Sequence, residues 1–163
     1  MSSIFLPDIF AETVFDIDTE QLKKDGIKAF IFDIDNTLAT YAMPVADEKT
    51  HQWLKDLKAK GFGIFIVSNN SRERVRIFSE AAEVDHFGKA LKPLSIYLKK
   101  ACRRMGVKPC ETALVGDQLF TDIWGGNLLR MKTILVKPIS DVEDGFVKFK
   151  RQFERRILAK MKK

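Results

Sequence analysis

A chain of 163 residues with 45% hydrophobic and 31% charged side chains is long enough to bury one core, and no run in it approaches the ~20 apolar residues of a membrane span. Met1–Asp8 has neither a basic region nor a long apolar run, which argues against a secretory leader and for a cytoplasmic protein. The net charge of +6 belongs to one end: from Phe146 to Lys163 eight Lys or Arg face one acid, Glu154, whereas the remaining 145 residues hold 20 basic and 21 acidic side chains.

In chain order, Ile4–Phe15 is apolar-rich but interrupted by Pro7 and has no clear period. Asp18 or Thr19 caps a short helix through Lys24, with Gly26 as its stop. Ala29–Phe32 is a short apolar run of the kind that forms a buried strand, and it ends in Asp33 and Asp35 with Asn36 and Thr37 behind. Asp47–Lys60 places Trp53, Leu54 and Leu57 on one helical face, with Gly61 as C-cap. Gly63–Val67 is a second strand, ending in Ser68-Asn69-Asn70, and Ser71 starts a helix through Val75, Ile77 and Phe78 to Ala82. After the connection Val84–Leu91, Lys92-Pro93 opens a helical pattern with Ile96, Leu98, Ala101 and Met105 on its buried side and Gly106 as its end. Thr112–Val115 is a third strand, leading into Gly116-Asp117-Gln118-Leu119-Phe120-Thr121-Asp122. Thr121 or Asp122 opens a helix to Leu129, and Thr133–Val136 is the last core strand. Strands alternating with helices predict a parallel sheet covered on both faces. His51 reads as an exposed helix residue and His86 as a loop residue. Cys102 and Cys110 read as reduced thiols.

The chemistry concentrates at Asp33 and Asp35. Ligands of open α/β sheets bind outside the carboxyl ends of the strands. Two acids one residue apart there repel each other unless a cation or shared proton intervenes. A hard, oxygen-preferring ion such as Mg²⁺ is the simplest relief; a polar turn is the alternative, since turns favour Asp and Asn.

Asp33-Ile34-Asp35-Asn36-Thr37 resembles the first motif of the haloacid dehalogenase-like (HAD) phosphatases, Asp-x-Asp-x-Thr. Ser68-Asn69-Asn70, Lys92-Pro93 and Gly116-Asp117 through Asp122 resemble the second, third and fourth, in the right order. The resemblance covers roughly residues 27–136 and implies an α/β fold, a HAD-like Rossmannoid parallel sheet with helices on both faces. It implies Asp33 as a nucleophile forming an aspartyl-phosphate, and Asp35 as general acid and then base. Mg²⁺ would be held by the side chains of Asp33 and Asp117 and the backbone carbonyl of Asp35, with Asp122 acting through water. Ser68 and the amide of Asn69 would bind phosphate oxygens, and Lys92 would hold positive charge on the transferring group. Over Thr37–Val45 the family carries a tight helical turn and a small hairpin flap, with Tyr41 facing the site.

Many relatives insert a cap domain between these motifs. Thr37 to Ser68 leaves room for a flap and a helix, Ser68 to Lys92 for a helix and a loop, and neither for ~50 residues of second domain. The expected protein is therefore one capless domain, 1–163, with a core of about 27–136 and an open site. Such a site takes a phosphate carried on something large, or borrows a lid from an oligomer partner. Phe146, Phe149, Phe153, Ile157 and Met161 are spaced 3, 4, 4 and 4 apart among Lys and Arg, so 146–163 reads as a basic amphipathic helix. Peripheral contact with the inner, anionic face of a membrane, packing on its own domain, and nucleic-acid binding all follow from that pattern.

Within the family, the chain is similar to subfamily IIIA proteins related to phosphatidylglycerophosphate phosphatase. Phe5-Leu6-Pro7-Asp8, Asp16-Ile17-Asp18, the four motifs, and Ile123 with Gly125-Gly126-Asn127 carry that likeness. It implies a Mg²⁺-dependent phosphomonoesterase acting on a phospholipid head group. The alternatives are a phosphatase for nucleic-acid ends, phosphoproteins or small phosphorylated metabolites, and a binding or assembly module whose catalytic site is secondary.

Overall fold

The computed structural model describes residues 3–140, 154–156 and 159. Six strands, β1 (Ile9–Ala11), β2 (Ala29–Phe32), β3 (Gly63–Val67), β4 (Asp85–Phe87), β5 (Thr112–Gly116) and β6 (Lys132–Val136), form one sheet in the order β1-β6-β5-β2-β3-β4. Every pairing is parallel. The helices are α1 (Thr19–Lys24), α2 (Glu48–Ala59), α3 (Arg72–Ala81), α4 (Ile96–Met105) and α5 (Trp124–Leu128).

β2 is buried at all four positions, as a central strand with helices on both faces must be. Alternation then sorts its side chains. Phe30 and Phe32, with Ile66 and Val115 of the neighbouring strands, pack with Leu54 and Leu57 of α2 and Phe78 of α3. Ile31, Phe65 and Leu114 face the other way, toward Leu98, Ala101 and Cys102 of α4. Each of these large side chains contributes about 1.5–3 kcal/mol on full burial.

The two outermost strands, β1 and β4, escape the sequence pattern. Each has three residues, and β1 is half-covered, with Phe10 58% exposed. They exist because a parallel neighbour offers its edge: Phe10 pairs with Leu135, and His86 with Ile66. His86 is thus a strand residue rather than a loop residue.

Two expected boundaries also move. α4 begins at Ile96, not Lys92, because the residue before a proline is driven away from helical backbone. Ile96 is consequently 58% exposed, and the buried side of α4 is Leu98, Ala101 and Cys102, with Met105 partly covered. After β5 the chain coils earlier than expected, in a π-helical turn over Leu119–Ile123 that continues into α5.

The expected hairpin over Thr37–Val45 does not form. The Ile34 carbonyl accepts the N–H groups of Thr37, Leu38 and Ala39 at 3.0, 2.8 and 3.1 Å, an isolated bridge joins Asp35 to Ala39, and turns follow. Asn36 takes φ 59° and gives its N–H to Ala39 at 2.7 Å, which closes the loop too tightly for two strands.

The N-terminal Phe5–Asp8 and the Gly125–Asn127 segment serve each other. Asn127 Nδ2 donates to the carbonyls of Ile4 and Leu6, both at 2.8 Å, and the Thr133 amide donates to Asp8 at 2.8 Å. These polar residues pin the leading segment beside β6.

Of the expected tail helix, Glu154–Arg156 and Ala159 are helical, and the rest of 146–163 lies outside the described residues. Among the described residues, no helix is long and apolar enough to cross a membrane.

Candidate active site

From β2 the chain runs to β3 and β4 on one side and then returns to β5 on the other. The strand order therefore reverses between β2 and β5, where open parallel sheets leave a crevice for ligands. Asp33 follows β2, and its amide makes the last rung to Val115 at 3.0 Å. Asp117 follows β5. Asp122 is brought back over the strand end by the π-helical turn; a Cβ at Gly116 would overlap its carboxylate, so only glycine admits this approach.

Asp33, Asp117 and Asp122 are all buried, and one carboxylate oxygen from each lies within 4.8 Å of the others. Lys92 Nζ enters the group from the α4 side, donating to Asp122 Oδ1 at 2.6 Å and to Asp33 Oδ1 at 3.0 Å. Thr37 Oγ1 donates to Asp117 Oδ1 at 3.2 Å.

Burial by itself would lower the proton affinity of Lys92, but Asp122 and Asp33 outweigh it, and its pKa is raised well above the ordinary value. Lys92 is a fixed cation. Burial pushes Asp122 up to about 6; Lys92 opposes the rise and the charge of Asp33 reinforces it. Three carboxyl groups share one ammonium in this cluster.

Ser68, at the end of β3, is buried, and its Oγ accepts the amide of Asn70 at 3.3 Å. The side chain of Asn69 grips the backbone of Lys92 in both directions, accepting its N–H at 2.7 Å and donating to its carbonyl at 3.0 Å. Asn69 thus places Lys92, in addition to any contact made by its own amide.

Asp35 stands on the α3 side. Asn70 Nδ2 donates to its Oδ2 at 2.7 Å, and Arg74 Nη2 to its Oδ1 at 3.2 Å. Burial raises the Asp35 pKa; Asn70 opposes the shift, the charge of Asp33 adds to it, and Arg74 opposes it. Arg74 also donates to the carbonyls of Pro44 at 2.9 Å and Thr40 at 3.3 Å, joining α3 to the loop after the first motif. Asn70 and Arg74 were not expected as site residues. One signal for Arg74 was available: it lies one turn into the helix that Ser71 caps, accepting at Oγ the Arg74 N–H at 3.1 Å, so it sits near the strand ends.

All seven residues singled out by the motifs therefore reach the carboxyl edge of the sheet. Asp33, Lys92, Asp117 and Asp122 form one ionic cluster, and Asp35 with Asn70 and Arg74 forms a second, beside it. A carboxylate next to a fixed ammonium, with a second acid two residues away whose pKa burial raises, has the groups that nucleophilic attack with general acid assistance requires.

Residues 41–129 match the family model of the haloacid dehalogenase-like hydrolases, a span that begins just after the first motif. The chain is 40% identical over 164 residues to the Bacillus subtilis (strain 168) protein named "Probable phosphatase YqeG", covering all of this chain and 95% of that one. It is 30% identical to Phosphatidylglycerophosphate phosphatase 1, chloroplastic/mitochondrial, of Arabidopsis thaliana, over 97% of this chain and 47% of that protein, so it spans about half the plant protein's length. The fold matches that of the cobalt-bound deoxy-D-mannose-octulosonate 8-phosphate phosphatase from Haemophilus influenzae with a TM-score of 0.58 at 18% identity, over 78% and 77% of the two chains.

Proposed function

This chain belongs to the haloacid dehalogenase-like hydrolases and is a phosphatase of that family, and from that premise we propose that it is a Mg²⁺-dependent phosphomonoesterase, working through an aspartyl-phosphate on the head group of phosphatidylglycerophosphate. The observation that carries the reading is the cluster of Asp33, Asp117, Asp122 and Lys92. Three carboxylates stand there against one ammonium, all buried. The donor set is oxygen-only, as Mg²⁺ prefers, and a divalent charge would offset the excess. Asp33 and Asp117 would hold the ion with the carbonyl of Asp35, and Asp122 would bind it through water. When bound, it supplies the positive charge that lets a carboxylate meet a phosphate dianion.

Asp33 attacks phosphorus; the bond from phosphorus to the alcohol oxygen breaks as the bond to the Asp33 carboxylate forms. Asp35 gives its proton to the departing oxygen, and its raised pKa favours keeping that proton until it is needed. Asp35 then takes a proton from water, which attacks phosphorus, releasing inorganic phosphate and restoring the Asp33 carboxylate. Lys92, Ser68 and the amide of Asn69 hold the phosphate oxygens throughout.

Support for a lipid substrate comes from the plant relative's name and from the chain itself, which inserts only α2 between β2 and β3. An open site suits a phosphate presented at a surface. Arg155 and Arg156 are exposed next to the body, and basic residues near an anionic bilayer contribute ~1 kcal/mol each. Peripheral contact through 146–163 belongs to the same reading. Phosphate release should be measured from phosphatidylglycerophosphate in anionic vesicles, glycerol phosphate, sugar phosphates, a 5′-phosphorylated oligonucleotide and a phosphoserine peptide. The expected result is the highest kcat/KM on the lipid, falling as salt screens the vesicle surface. Preference for the oligonucleotide, peptide or a soluble metabolite overturns the lipid assignment, and turnover too slow for any of them favours a binding module.

Arg74 gives a second test, within the mechanism. Arg74→Ala frees one side of Asp35 and should slow hydrolysis of alkyl phosphates by about tenfold, a part of the 10²–10⁴ that general acid catalysis supplies. The nitrophenolate burst from p-nitrophenyl phosphate, whose leaving group needs no proton, should be nearly unaffected, because only the later water attack draws on Asp35 there. Equal losses in the alkyl ester and in the burst would assign Arg74 to loop support alone.

A further inference from the structure

Glu154 is the only acid among the eighteen residues from Phe146 to Lys163, and it is 3% exposed. Its Oε1 accepts the N–H of Leu119 at 2.9 Å and of Phe120 at 3.4 Å. Those amides open the π-helical turn Leu119–Ile123, whose preceding residue, Gln118, supplies no side-chain cap. The first N–H groups of any helical turn lack partners within it, and a carboxylate both satisfies them and suits their aligned dipoles. Here the cap comes from far along the chain.

The same turn carries Asp122. Asp122 Oδ2 accepts the Gln118 amide at 3.2 Å, its Oδ1 accepts Lys92 Nζ, and its own amide donates to the Gln118 carbonyl at 3.1 Å. Its carboxylate is therefore held from the inside by bonds to Gln118 and Lys92, while Glu154 fastens the next two amides from the outside. Phe5 adds an edge-on contact with Phe120 at 5.4 Å and with Trp124 at 5.3 Å, which fills space without fixing the backbone. A buried carboxylate is costly unless it is hydrogen-bonded, and the two amides of the turn meet that need here.

We propose that Glu154 is a positioning residue for the cation site: by capping the π-helical turn it holds the segment from Asp117 to Asp122 in register with Asp33. The inference rests on the reading of those three carboxylates as the cation site. It also gives the basic C-terminal segment a part in the catalytic site, whatever surface its lysines and arginines meet. Groups that orient metal ligands from outside typically change metal affinity 10–100-fold when removed.

The test uses the full-length chain. Mg²⁺ binding is measured by calorimetry on resting protein, alongside the Mg²⁺ concentration for half-maximal hydrolysis of a soluble ester and the melting temperature. Glu154→Ala is expected to weaken Mg²⁺ binding by about 10- to 100-fold and to raise the half-maximal concentration in parallel. Glu154→Gln keeps an oxygen acceptor without its charge, so it should fall between the two; it carries the test if Glu154→Ala fails to fold. A lower melting temperature with unchanged Mg²⁺ affinity would reduce Glu154 to a structural cap and overturn the proposal. If the unaltered chain binds no Mg²⁺, the cation reading itself fails; if it binds and Glu154→Gln and Glu154→Ala bind equally well, only the role of Glu154 fails.

Discussion

Asp33→Asn is expected to abolish turnover on every phosphate ester while leaving the domain folded. An amide cannot form the acyl-phosphate bond, and removing a covalent nucleophile costs roughly 10⁴- to 10⁶-fold in kcat. Asn has nearly the same shape, and Lys92 keeps its 2.6 Å partner Asp122. Loss of one of three clustered carboxylates also relieves repulsion, so the melting temperature in the absence of metal should hold or rise. Phosphate release and thermal unfolding of the same preparation check both halves. Hydrolysis within about tenfold of the unaltered chain would reject the covalent mechanism. Asp35→Asn should behave differently: it loses turnover on poor leaving groups but still accumulates phosphoenzyme from p-nitrophenyl phosphate.

The second large effect is on metal. EDTA is expected to bring hydrolysis to background and Mg²⁺ to restore it, with Asp117→Asn blunting the recovery. The same ion should stabilise the fold, by about 2.7 kcal/mol at 100 times its Kd. A pH dependence accompanies this. In the metal-free protein the Asp122 pKa is raised to about 6 from an ordinary carboxylate value near 4. Between those values the folded state holds a proton that the unfolded state has lost, so stability should fall as pH rises from about 4 through 6. Mg²⁺ favours the ionised carboxylate and should flatten that fall. Denaturant melts at several pH values, with EDTA and with Mg²⁺, measure it; identical curves would mean that no divalent ion occupies the cluster.

Much of the site was legible because its residues sit where short local patterns end. Asp33 and Asp35 follow a four-residue apolar strand, Ser68 a five-residue one, and Asp117 a five-residue strand that ends in Gly116. The parallel register then aligns Phe32 with Ile66 and Val115, which delivers those strand ends to one edge. Asn70 and Arg74 were harder. Asn70 closes the second motif with no role attached to it, Arg74 lies in ordinary helix-start sequence, and their bonds to Asp35 span 35 and 39 residues. The same is true of Glu154, a lone acid in a basic run whose partners are backbone amides with no side-chain signature.

The amino-acid sequence by itself determined which residues carry charge at the strand ends, and which runs are apolar enough to build a parallel sheet with helices on both faces. Those are local properties, set by residue type and spacing. Only the tertiary structure decided what each polar side chain faces: that Lys92 bridges Asp33 and Asp122, that Asn69 grips the Lys92 backbone, that Arg74 ties Asp35 to the Thr40–Pro44 loop, and that Glu154 caps the turn behind Asp122. It decided the edge strands as well, since three residues with one side open form a strand only when a neighbour presents an unpaired edge. Hydrogen-bond partners distant in the chain become specific only once packing removes water and leaves each buried polar atom a single place to go.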